Sequence, residues 1–165
     1  MENVDLFVPG RLCLFGEHSD WAGGYRRIDS SIVHGFCLLV GTNQGIYAKA
    51  KAHPDKVVVT STLPDGSVLG PHEMELDAPS LLEIAEEGGF YSYTAGVAYH
   101  MLNHYKLGGV EIESYKMDLP IRKGLSSSAA NNVLVARAFN HLYDLKLTKR
   151  GEMEIAYQGE ILTPS

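Results

Sequence analysis

At 165 residues, with 45% hydrophobic and 21% charged positions, the chain has the composition of a folded domain and not of a disordered one. Fourteen Lys and Arg against twenty Asp and Glu leave a net charge of −6 with no basic cluster longer than a pair, which excludes a broad attraction for nucleic acid. No apolar run approaches the roughly 20 residues needed to cross a bilayer, and MENVDLFV lacks the basic flank and apolar centre of a signal peptide, so a cytoplasmic protein without membrane partners is expected.

The first half reads as strands. RLCLFG, GFCLLVG, GIYAKAKAH and KVVVTST are short, apolar or alternating, and separated by Gly, Pro, Asn and Asp. LPDGSV reads as a hairpin turn. From Phe90 the period becomes helical, with Tyr93, Val97, Met101, Leu102 and Tyr105 on one face and Gly108-Gly109 as the stop. This predicts a helix of about four to five turns. GGVEIESYKM follows as a half-buried strand, then the loop DLPIRKG, then the Ala-rich helix SSSAANNVLVARAFNHLYDL. Thr148, with Glu152 close behind, is placed to cap a last helix. Cys13 and Cys37 lie in apolar runs and are expected in the core as free thiols. Nothing in the composition marks a linker, so residues 1–165 read as one α+β domain.

Two segments carry chemistry. In Gly124-Leu125-Ser126-Ser127-Ser128-Ala129-Ala130 a glycine and three hydroxyl residues open a helix, bringing free backbone N–H groups, the positive dipole end and hydroxyl donors together. That is what a phosphate requires, although Ser126 or Ser127 serving only as a helix cap accounts for the heptapeptide equally well. The spacing is not that of a Walker A loop, and the second glycine of a nucleophile elbow is missing. In Pro9-Gly10-Arg11-Leu12-Cys13-Leu14-Phe15-Gly16-Glu17-His18-Ser19-Asp20-Trp21-Ala22-Gly23-Gly24, an apolar strand runs into Glu, His and Asp between glycines. Such groups bond several hydroxyls of a polyol, and a charged turn closed by Asp20 is the plainer alternative. His100 and His104 share a helical face, but no third residue stands at a metal-ligand interval.

Together the two segments resemble the GHMP kinases, and the first is most similar to galactokinase. The resemblance implies the ribosomal-protein-S5-domain-2-like N-terminal fold of that superfamily, here truncated, and an ATP- and Mg²⁺-dependent phosphorylation of a monosaccharide hydroxyl. It places Arg11 near the reacting phosphoryl group, and Glu17, His18, Asp20, Gly23 and Gly24 around the sugar. It lays the ATP phosphates on Lys123, Gly124, Leu125, Ser126, Ser127 and Ser128, and makes Ser128 and Glu160 the magnesium ligands. A mevalonate-type kinase, or a galactokinase-like sensor without turnover, are the alternatives it carries.

The chain departs from that pattern in places. Arg122 stands where the family has a small residue, Cys13 stands where galactokinases have Asn, and Arg26 and Arg27 follow Gly24 where they continue with apolar residues, which opens the way to an acidic sugar. The family's catalytic Asp follows a Pro-Ser/Cys-Gly segment that would begin at Pro164-Ser165. The expectation is therefore an N-terminal portion, inactive alone, that self-associates through an uncovered apolar face.

Overall fold

The structure, a computed structural model, describes residues 3–17, 23–119 and 126–164. Its elements run β1 (Val4–Phe15), a 3-10 turn (Gly23–Arg27), β2 (Leu38–His53), β3 (Lys56–Thr62), β4 (Val68–Glu75), α1 (Ala78–Glu87), α2 (Ser92–His104), β5 (Gly109–Met117), α3 (Ser127–Leu142) and α4 (Lys149–Glu160). The strands form one sheet in the order β1-β2-β5-β3-β4, antiparallel throughout except for the parallel β3–β5 pair. The expected α+β class is what is found.

One face of the sheet is sealed. Alternate residues Leu6 and Val8 of β1, Ile46, Ala48 and Ala50 of β2, Val57 and Val59 of β3, and Val110 and Ile112 of β5 are buried in one core with Val97 and Met101 of α2 and Leu134, Val135 and Phe139 of α3. This is the two-residue period of strands meeting the 3.6-residue period of helices. On the outer face Phe7 packs on Tyr47 at 4.7 Å and Lys116 sits over the Tyr47 ring at 4.5 Å.

Several expectations need adjusting. β1 begins at Val4, ahead of RLCLFG, and admits Pro9 because it is an edge strand with a register shift between Pro9 and Arg11. The two runs GFCLLVG and GIYAKAKAH merge into the single strand β2. α2 stops at His104, short of the glycines, because Tyr105 is already extended. The helix α1 was not anticipated, although Asp77 accepts from Ser80 N at 3.0 Å and Pro79 stands in the first turn. The thiols are not core residues: Cys13 is half-buried and Cys37 exposed, both free, because their apolar runs lie where none of the described helices covers the sheet.

The hairpin turn forms as expected, with Leu63 N donating to Ser67 O at 2.8 Å. Thr148 caps α4, accepting from Gly151 N at 3.1 Å. α4 is held by a buried network: Arg137 donates to Glu152 Oε2 at 3.0 Å and to the Phe7 carbonyl at 3.0 Å, while Asn140 donates to Glu152 Oε1 at 2.8 Å. β1, α3 and α4 are thereby tied to one another.

Candidate functional site

Arg11 follows the irregularity in β1, which turns the strand just where its charged residues begin. Its Nη1 pairs with Glu17 Oε1 at 3.5 Å. Glu17 reaches back to it because Gly16 takes a φ of +81°, a left-handed conformation, and packs so tightly on the Phe36 carbonyl that a Cβ would collide there. Cys13 lies behind the pair, donating to Phe15 O at 3.2 Å. Burial pushes its thiol pKa up and the Glu17 carboxylate pushes it further, against Arg11.

The start of α3 is unusual in two ways. Ser126, its N-cap, is left-handed with φ 54° and ψ 51°, where a capping serine is ordinarily extended, and its side chain makes no capping bond. Capping is therefore not what this serine does. The first turn carries no acidic side chain of its own to oppose the helix dipole. Just before residues 120–125 the chain is pinned by Asp118, which accepts from Gly45 N at 2.6 Å and donates its own N–H to Gly45 O at 3.2 Å.

Glu160 completes the cluster. It closes α4, and its position is set by the crossing of α4 on α2, where Gly159 meets Gly96 backbone to backbone. A Cβ on Gly159 would lie 2.6 Å from Val97 N, and one on Gly96 would collide with the Gly159 carbonyl. Burial pushes the Glu160 carboxyl pKa up; Asn132, Arg11 and Ser128 all pull it down. Residues of β1, α3 and α4 that are far apart in sequence, Arg11, Ser128 and Glu160, are thus one electrostatic neighbourhood.

A hard divalent cation fits this donor set. Ser128 offers a neutral oxygen and Glu160 a carboxylate, the oxygen chemistry that Mg²⁺ takes. Beside them the Asn132 amide is buried with both Nδ2 and Oδ1 unpartnered among the described residues. Asn132 was not anticipated as a site residue; the signal available was a polar Asn131-Asn132 pair inside an otherwise apolar helix.

Other anticipated residues are less tied in. Ser127 is the first residue of α3 and is half-buried. Gly23 opens the 3-10 turn, and Gly24 is exposed with nothing within 4 Å of where a Cβ would stand, so packing does not require it to be glycine. His18, Asp20, Arg122, Lys123, Gly124 and Leu125 lie outside the described residues. Arg26 is turned toward its own loop, donating to Ile32 O at 2.7 Å and pairing with the His34 ring at 2.8 Å. His100 and His104 stack with ring centroids 6.4 Å apart, and no group of three or more His, Cys, Asp or Glu suited to a metal occurs among the described residues.

Known proteins resemble this chain along most of its length. A family model described as GHMP kinases N terminal domain matches residues 92–163. Galactokinase of Pyrococcus furiosus is 27% identical over 161 residues, covering 97% of this chain and 40% of that protein. Galactokinase of Clostridium acetobutylicum is 34% identical over 161 residues, covering 96% of this chain and 37% of that protein. The solved structure of Lactococcus lactis galactokinase complexed with galactose superposes with a TM-score of 0.75 at 25% identity, covering 99% of this chain and 39% of that one. Methanococcus jannaschii mevalonate kinase shares the fold, with a TM-score of 0.71 at 16% identity over 98% of this chain and 47% of its own. The chain thus spans well under half the length of these galactokinases.

Proposed function

We propose, for a chain that carries the GHMP-kinase N-terminal domain in a galactokinase-like frame, that its parent is an ATP-dependent sugar kinase acting on a monosaccharide hydroxyl in the cytoplasm. The observation that carries this is the likeness to galactokinases along almost the whole chain, which the electrostatic influence of Arg11 and Ser128 on Glu160 supports.

The division of labour follows from what each group can do. N–H groups at the α3 terminus and the serine hydroxyls receive phosphate oxygens, with Lys123 adding a cation next to Gly124. Ser128 and Glu160 are the groups that would hold Mg²⁺, which when bound neutralises charge on the transferring phosphates. Arg11 adds a guanidinium to the same place, and Glu17 pairs with it at 3.5 Å. Glu17, His18 and Asp20, with Gly23 and Gly24, orient the sugar hydroxyls, so that the reacting oxygen stands in line with the phosphoryl group. Removing the hydroxyl proton is assigned to the aspartate that the family places after its Pro-Ser/Cys-Gly segment.

The test is Ser128→Ala in the full-length parent, with ADP release followed over a panel of monosaccharides including uronic acids. The expected outcome is a kcat depressed by about 100-fold or more with sugar KM within about threefold. An unchanged kcat removes Ser128 from the site; no sugar-dependent ADP release from the wild-type parent removes the kinase reading altogether.

A further inference from the structure

Two asparagines stand side by side in α3 and are treated differently by the fold. Asn131 donates from Nδ2 to Thr94 Oγ1 at 3.2 Å, joining α3 to α2. Asn132 is wholly buried, at 0% exposure, and neither its Nδ2 nor its Oδ1 has a partner among the described residues. An amide left in that state destabilises a fold, and cores rarely contain one. A leucine of similar size would fill the same space without the penalty, so packing supplies no reason for an asparagine here.

Its position supplies one. Asn132 follows Ser128 by four residues, which stacks the two side chains on one face of α3. α4 packs along α3 and ends at Glu160, whose carboxyl faces both of them. The unpaired amide is therefore aimed into the space between the hydroxyl and the carboxylate, the two groups assigned above to the cation.

We propose that Asn132 is a positioning residue of this cation site, its Nδ2 donating to the Glu160 carboxylate across the α3–α4 interface and its Oδ1 accepting from a water of the cation's shell. The amide already stands beside the Glu160 carboxylate in the folded chain, so it fixes where that carboxylate meets the cation. The inference rests on the reading of Ser128 and Glu160 as the cation pair.

The test uses the 165-residue chain with ATP alone and with Mn²⁺ plus ATP, reading the affinity gained on adding Mn²⁺ and, by electron paramagnetic resonance, the bound ion itself. Asn132→Leu, with Asn132→Ala beside it in case leucine does not fit, is expected to cut the Mn²⁺-dependent gain about tenfold or more. ATP binding without metal should stay within about twofold of wild type, and Asn132→Leu should melt no lower than wild type, because an unsatisfied amide has been exchanged for an apolar group. If Ser128→Ala and Glu160→Gln lose the gain while both Asn132 variants keep it, the inference is overturned and the cation pair stands. If Ser128→Ala and Glu160→Gln keep it, or wild type shows none, the pair falls and the inference with it. A fall in metal-free ATP binding or in melting temperature for both Asn132 variants would make the residue structural and also overturn the inference.

Discussion

β1 passes through two environments within a dozen residues. In its first half Leu6 is 5% and Val8 4% exposed, under α3 and clamped by the Arg137 bond to Phe7 O. In its second half Leu12 is 40%, Leu14 45% and Phe15 74% exposed, and the facing end of β2, Leu38 to Val40, is uncovered too. The residues are equally apolar in both halves, so hydrophobicity does not decide burial here; the presence of a helix over the strand does. Arg11 and Glu17 belong to the uncovered half, and Ser128 and Glu160 to the edge of the covered one. The cluster therefore straddles a rigid part and a part that receives little tertiary support, which is where a ligand can add order.

The largest effect should come from breaking the clamp. Arg137→Ala leaves Glu152, whose side chain is 5% exposed, buried without its cation. Urea unfolding should show a loss of about 3 kcal/mol or more; a loss under about 1 kcal/mol would mean that the clamp does not hold the covered half together. Next comes Gly96→Ala, which drives a Cβ into the Gly159 backbone. A loss of about 1–3 kcal/mol is expected, with displacement of Glu160 and weaker cation binding, whereas Gly24→Ala, in open space, should be close to neutral.

The sequence was legible to the extent that elements carry their own signals. The alternation Val110, Ile112, Ser114 becomes the buried row of β5, and Thr148 is the cap it was expected to be. α1 was missed because Leu81 and Ala85 give it a short apolar face, although Asp77 and Pro79 spell its beginning. The cysteines were misplaced because local apolarity says nothing of whether a helix arrives to cover a strand. At the site, the two motifs are local and readable. Their meeting is not, since it depends on the α2–α4 glycine crossing and on the bulge in β1, and Asn132 was passed over because an asparagine in a helix betrays itself only when its partners are counted.

A smaller, pH-dependent effect belongs to the covered half. Burial pushes the His100 pKa below its ordinary 6.5, and neighbouring His104 pushes the same way against the backbone of Gln158. Its Nε2 is buried without a partner among the described residues. The unfolded chain then takes the proton first, so the stability tied to neutral His100 is whole above about pH 6.5 and is lost as pH falls through the lower folded value. Melting temperature should drop on acidification below that point, and the drop should shrink in His100→Gln. An unchanged pH profile in that variant would remove the histidine from the account.

The smallest effect on stability should come from the uncovered half, and there the comparison is sharpest. Phe15 and Ile28, at 74% and 84% exposed, contribute little to the fold of the chain, so Phe15→Ser with Ile28→Ser should shift unfolding by only about 0.5 kcal/mol or less. Exposed apolar side chains in water favour association, however, and the same double substitution should lower the apparent mass of the chain in sedimentation at tens of micromolar. Amide exchange should separate the halves directly: those β1 amides that are bonded to β2 in the stretch up to Val8 should be protected to near the global unfolding limit, while those bonded to β2 from Leu12 to Phe15 exchange orders of magnitude faster. Adding ATP with Mg²⁺ should then slow exchange in the second half if Arg11 is recruited to the phosphates, and should leave the first half as it was. Equal protection along all of β1 in the absence of ligand would show that the second half has cover of its own, and that burial is not set by α3 alone.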